Sequence, residues 1–307
     1  MRFSKRLFPD FINTKKPIHL WLIFLFCTLL VSSLNAEVEA EASLKGVLWK
    51  IEKADHKPSY LLGTVHVSDP RIVNFKPELK KVMSQVSSIS IEAKLDPEAQ
   101  MAVAMRMLAL GSNLEADVGS SYFSKITAEM QKYNMAPDIV RQLKPWAVML
   151  TLSVPPNGDP TKFMDALIYN YGLEHGKNVY GLETLDEQLS IFDSMSHQDQ
   201  LVLLKQTVDD LAKRDSMMEQ MLSVYLQGDL KQLAEISNAH IKEMDHDMAR
   251  KMMKTLVDDR NLRMLKRMQP RLLEGSALIA VGALHLTGKQ GLINLLTEQG
   301  YTLKPVY

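Results

Sequence analysis

Two stretches far apart in the chain repeat one pattern: Leu61-Leu62-Gly63-Thr64-Val65-His66 and Ala280-Val281-Gly282-Ala283-Leu284-His285. Each reads as an apolar strand, a glycine, two residues and a histidine. A glycine at a strand end permits a turn of backbone that other residues resist, and it lets another group come close. Each histidine is then expected just beyond the carboxyl end of its strand, where open α/β sheets place their ligands. A single Gly-x-x-His carries no information. Two of them, after two apolar strands near opposite ends of a domain, do.

Working outward, Gly46 to Glu52 and Ser59 to Leu62 read as strands joined by a polar turn through Asp55 and Pro58. A helix is expected over Pro77 to Val86, then a short β-rich run, Ser88 to Ile91, that delivers Glu92. From about 97 to 272 the apolar residues recur at spacings of three and four, as in Leu201, Leu204, Val208 and Leu211, so this is a large helical insertion. One strand, Asn178 to Tyr180, interrupts it and leads to Gly181-Leu182-Glu183. The chain closes with a strand over Ala277 to Val281, a helix over Lys289 to Gln299 and a strand over Tyr301 to Lys304. Strands alternating with helices specify an α/β (α+β) domain around a central mixed sheet, over residues 43–307. Most of the 19 methionines fall at helical spacing and read as adaptable core filling.

Two carboxylates thus join two imidazoles at strand ends. A buried acid there is costly unless it is paired or ligating. His66, His285, Glu92 and Glu183 together suit a divalent ion such as Mn, Zn, Co or Fe, with one glutamate free to act as general base. Taken singly, each histidine is more often a hydrogen-bonded core or loop residue than a ligand, and each glutamate more often a helix N-terminal charge. Arg260 and Asn261, within Asp258 to Arg263, form a secondary candidate, because a helical arginine can grip a carboxylate with two bonds. His56, His175, His197, His240 and His246 read as surface or structural.

The N-terminus has a different task. Residues 1–36 carry Arg2, Lys5, Arg6, Lys15 and Lys16, an apolar run from Leu20 to Val31, and Ser32-Ser33-Leu34-Asn35-Ala36. That is the three-part layout of a secretory signal, followed by an acidic linker over 37–42. The run is shorter than the ~20 residues that span a bilayer. An anchored protein facing the periplasm is the alternative to a periplasmic or secreted one. The lone cysteine, Cys27, lies in this segment, so the exported part has no thiol and no disulfide. Without this segment the 36 basic and 36 acidic side chains become 31 and 35. A mildly acidic domain has no electrostatic footprint for nucleic acid or for an anionic membrane.

At these residues the sequence resembles the TraB/PrgY/GumN proteins, which are grouped with the animal Tiki proteins. The resemblance runs from about Leu48 to the C-terminus. It is carried by Leu48-Trp49-Lys50, Leu61 to Pro70, Leu143-Lys-Pro-Trp146, Gly181 to Thr184 with Glu187-Gln188, Asp259-Arg-Asn261 and Val281 to Leu286. It implies an α/β domain with a helical insertion and a divalent-metal-dependent hydrolase acting on peptides or proteins. It maps Gly63, His66, Gly282 and His285 onto the paired motifs, and places the functional acids at Glu92 and Glu183. Within the wider group the fold also serves haem-binding and esterase relatives, so a non-enzymatic peptide- or haem-binding envelope protein is the competing expectation.

Overall fold

In a computed structural model, the chain is described over residues 44–307, apart from 95–96, 157 and 242–245. The expected signal segment, 1–36, and the linker, 37–42, lie outside the described residues. Among the described residues no helix is long and apolar enough to cross a membrane.

Six strands form one sheet: β1 (Leu48–Glu52), β2 (Ser59–Thr64), β3 (Ser88–Ala93), β4 (Asn178–Glu183), β5 (Ala277–Gly282) and β6 (Thr302–Pro305). Their spatial order is β4-β3-β5-β2-β1-β6. The strands β4, β3, β5 and β2 are mutually parallel, while β1 runs antiparallel to β2 and to β6. This is the mixed sheet expected of the α/β pattern. The unbroken apolar run of β5 follows from it, since a parallel strand is covered on both faces, and β3, although it alternates Ser with Ile, is covered likewise. Every residue of both strands is buried.

The parallel arrangement fixes where function can sit. All four parallel strands end on one edge of the sheet, with Thr64 beside Gly282 and Ala93 beside Glu183. Pairing extends all four past their expected ends, β5 by the single residue Gly282. Strand β2 reaches Thr64, β3 reaches Ala93 and β4 reaches Glu183. Glu92 and Glu183 are therefore strand residues, not residues that follow strands. The C-terminal helix is shorter than its periodicity predicts, Leu292–Glu298, because the chain leaves β5 through a tight helical turn over Ala283–Leu286.

Two apolar cores result. One wraps the sheet, with Leu61, Leu62, Ile89, Leu278 and Ile279 packed beneath Met264, Met268 and Leu272 of the helix Asp259–Glu274. The other lies inside the helical insertion around Phe123, Trp146, Leu152, Phe192 and Leu204. Buried methionines serve both, Met83, Met264 and Met268 in the first and Met107, Met130, Met149 and Met252 in the second. That agrees with a filling role for most of them.

A single acid ties the second core to the sheet. Asp193 Oδ1 accepts hydrogen bonds of 2.8 Å from Trp146 Nε1 and 2.8 Å from Lys144 Nζ, and Oδ2 accepts one of 2.6 Å from Arg106 Nε. Those donors come from two separate segments, which gives Leu143-Lys-Pro-Trp146 a structural purpose. Asp193 ends the helix Leu185–Asp193 that begins directly after β4. Burial pushes its carboxyl up, but the three donors outweigh this and hold it below the usual value. Its stabilisation is thus present above the unfolded-state pKa of about 3.9 and is lost as pH falls through the lower folded value. Replacing Asp193 with Ala should cost about 2 kcal/mol, because Trp146 Nε1 is left buried without a partner. Urea unfolding at pH 7 against pH 3 checks this: the gap between wild type and Asp193→Ala should narrow at the lower pH.

Candidate functional site at the carboxyl edge of the parallel strands

Both glycines of the repeated motif are explained by close approach, and the expected backbone turn is not needed. Gly282 has φ −50°, and Gly63 lies within regular β2. A Cβ on Gly63 would lie 3.0 Å from the Ala283 Cα, so the two motifs touch each other. A Cβ on Gly282 would lie 3.2 Å from Glu92 Oε1. That oxygen instead accepts a 2.7 Å hydrogen bond from the Gly282 N–H. The glycines bring the second motif, the first motif and Glu92 to one place.

Glu92 is 2% exposed and Glu183 is 3% exposed. What makes such burial tolerable is Arg260, itself 1% exposed. Its Nη2 lies 2.5 Å from Glu92 Oε2, and its Nε donates to Glu183 Oε2 at 2.8 Å. Arg263 Nη1 donates to the other Glu183 oxygen at 2.8 Å. Gln188 Nε2 reaches both acids, at 3.1 and 3.3 Å. The aim of Gln188 comes from local sequence. Thr184 caps the helix Leu185–Asp193, Glu187 closes the capping box, and Gln188 is the next residue. Arg260, Arg263 and Arg267 share one face of the helix Asp259–Glu274 at spacings of three and four, and Arg267 pairs with Glu187. A π-helical turn over Lys254–Asp258 precedes them, and Arg260 Nη1 donates to the Leu256 carbonyl within it at 3.3 Å.

Asn261 faces the histidine side. Its Nδ2 donates to the Gln290 carbonyl at 2.7 Å and to the His285 carbonyl at 3.3 Å. Two carbonyls around the amide nitrogen fix its orientation, so Oδ1 is the atom 2.7 Å from His285 Nδ1. Only an acceptor stands there, so His285 Nδ1 carries the proton. Burial and the Arg260 charge push the His285 pKa down to about 3, which keeps the ring neutral. Its Nε2 then holds a lone pair, is buried, and has no hydrogen-bond partner among the described residues. Facing it at 3.7 Å is Glu92 Oε1. Burial alone would raise the Glu92 pKa, but the Arg260 charge above all, with the neighbouring imidazoles and the Gly282 N–H, holds it at about 2. Two buried acceptors therefore confront one another.

His66, 2% exposed, is near enough for its charge to act on both Glu92 and His285. Burial alone would lower its pKa, but Asp165 outweighs this and raises it. His66 Nδ1 lies 2.7 Å from Asp165 Oδ2.

The four residues expected at one ion therefore divide. His285 Nε2 and Glu92 Oε1 face each other at 3.7 Å, and His66 lies near enough to act on both electrostatically. Glu183 lies on the far side of Arg260, with both oxygens engaged by arginines. Among the described residues no group of three or more His, Cys, Asp or Glu side chains is arranged to hold a metal ion. The donor chemistry of the histidine side does fit a divalent cation, because Arg260 engages only Oε2 of Glu92, while Oε1 faces the buried, unpartnered lone pair of His285 Nε2; arginines engage both oxygens of Glu183. The Glu183 side does not fit one, since Arg260 already supplies its positive charge. Arg260 and Asn261, which spacing alone could not separate from a solvated face, are buried at the centre. His56, His175 and His197 are outside the buried cluster: His56 and His175 bond nearby backbone carbonyls, and His197 pairs with Asp117. Asp165, Thr64, Gln188 and Arg263 were not expected at the site. Asp165 did leave a trace, as a lone acid in the apolar stretch Phe163 to Ile168.

The model of the TraB/PrgY/gumN family matches residues 47–305. The chain belongs to the TraB/PrgY/gumN family. Among curated proteins it is similar to metalloprotease TIKI1 of Danio rerio, at 22% identity over 86% of this chain and 64% of that protein. It is also similar to metalloprotease TIKI2 of the same organism, at 21% over 86% and 62%. A metalloprotease TIKI homolog of Amphimedon queenslandica is 23% identical over 85% and 62%. The chain spans less than two thirds of the length of these relatives.

The buried charges make a direct prediction. Arg260→Ala should destabilise the protein by about 3–5 kcal/mol, because two buried carboxylates lose their counter-charge. Arg263→Ala, at a side chain one third exposed, should cost no more than about 1 kcal/mol. Denaturant unfolding of the two variants side by side measures the difference.

Proposed function

We propose that this protein is an exported hydrolase of peptides or proteins that depends on a divalent cation. The observation that carries the reading is the confrontation of His285 Nε2 with Glu92 Oε1. His66, His285 and Glu92 would hold the cation, which could be Mn, Zn, Co or Fe. When bound, it supplies Lewis acidity toward a carbonyl oxygen. Glu92 alone of the two acids faces an imidazole, which supports giving it the chemistry expected of the acids. Glu92 stays ionised and is held by the Gly282 N–H and Arg260. Glu183 keeps Arg260 in place. The peptide substrate follows from the names of the TIKI relatives. The expected signal at residues 1–36 is the ground for a periplasmic or secreted location.

Purified protein supplied with each cation in turn should cleave members of a peptide library. Cleavage should stop with a chelator and return when the cation is restored. His285→Ala should reduce it by more than ~100-fold, as loss of a group acting directly on the reaction does. A library left intact but retained on the protein would instead make it a peptide binder. A visible band on adding haem, lost in His285→Ala, would make it a haem binder.

A further inference from the structure

The two histidines of the repeated motif are backed by different chemistry. Behind His285 stands a neutral amide, Asn261. Behind His66 stands an acid, Asp165, with Oδ2 2.7 Å from the ring Nδ1. Asp165 is itself held. Its Oδ1 accepts a 2.7 Å hydrogen bond from Thr64 Oγ1, and Thr64 ends β2 two residues before His66. One strand end thus supplies both the imidazole and the hydroxyl that aims its partner.

Asp165 is 7% exposed and lies in the first turn of the helix Met164–Glu174, among buried Met164, Ala166 and Ile168. A first-turn acid gains a little from the helix dipole, but that gain is available at the surface and is smaller than the cost of burying a carboxylate. Asp165 does not cap the helix, which starts after Phe163 without a side-chain cap. What matches its burial is the pair of polar groups it meets, Thr64 and His66.

We infer that Asp165 is a positioning residue: it fixes His66 with the proton on Nδ1, so that Nε2 is the atom offered to the site, and Thr64 in turn fixes Asp165. A carboxylate behind an imidazole sets its tautomer and its orientation. The catalytic consequence rests on the hydrolase reading above, whereas the tautomer does not.

Long-range 1H–15N spectra of histidine-labelled, cation-free full-length protein read the tautomer directly. The His66 signals are those that disappear in His66→Gln. At a pH high enough to leave the ring neutral, wild type should show His66 protonated at Nδ1 alone. In Asp165→Ala the ring should move toward the Nε2–H form, and Thr64→Val should move it part of the way. In cation-loaded protein, Asp165→Ala should lower kcat about 10–100-fold with KM little changed. An unchanged His66 tautomer in folded Asp165→Ala would overturn the inference. Should that variant fail to fold, Asp165→Leu, similar in size but without an acceptor, decides by the same spectrum. Should wild type show the Nδ1–H form and its loss in the variant while no peptide is ever cleaved, the hydrolase reading fails and the positioning role stands.

Discussion

The site depends on one buried cation, the guanidinium of Arg260 set between Glu92 and Glu183. Parallel strands leave two carboxylates at neighbouring strand ends, nearly without solvent, and like charges so placed repel. A planar guanidinium with several donors meets both at once, which an ammonium of a single compact charge does poorly. With Oε2 of Glu92 turned to Arg260, Oε1 is turned to the Gly282 N–H and to His285. The arginine thereby decides which acid faces the imidazoles and which does not.

That division accounts for what could and could not be read from residue order. Strand ends were legible because apolar runs punctuated by glycine mark buried parallel strands, and parallel strands must end together. The convergence of His66, Glu92, Glu183 and His285 on one edge follows from that alone. The partition of the two glutamates was not legible. It rests on the phase of the helix Asp259–Glu274, entered through a π-helical turn, and a charged helix face reads the same in sequence whether it meets water or a buried acid. The glycines were read for a turn and for close approach, and only the second holds, since neither takes up a left-handed backbone. Asp165 lay beyond reach for a related reason. A single acid in an apolar helix announces a partner but does not say which.

The two histidines repeat a sequence pattern without repeating an environment. His285 sits at the Arg260 end with an amide behind it and is kept neutral. His66 sits at the β2 end with an acid behind it. The near-symmetry of Gly-x-x-His is therefore a symmetry of strand geometry, used to set two unlike imidazoles near Glu92. The helical insertion contributes at a distance, through the helix that starts at Thr184 and is pinned at its other end by Asp193.

The central claim is that His66, Glu92 and His285, and not Glu183, surround the place of a divalent cation. Anomalous X-ray scattering from crystals soaked in manganese tests it most directly. The account predicts one strong peak within coordination reach of both imidazoles and the Glu92 carboxylate, with Arg260 still seated on Glu183. A peak between the two glutamates with Arg260 displaced, or peaks confined to surface carboxylates at saturating manganese, would contradict it.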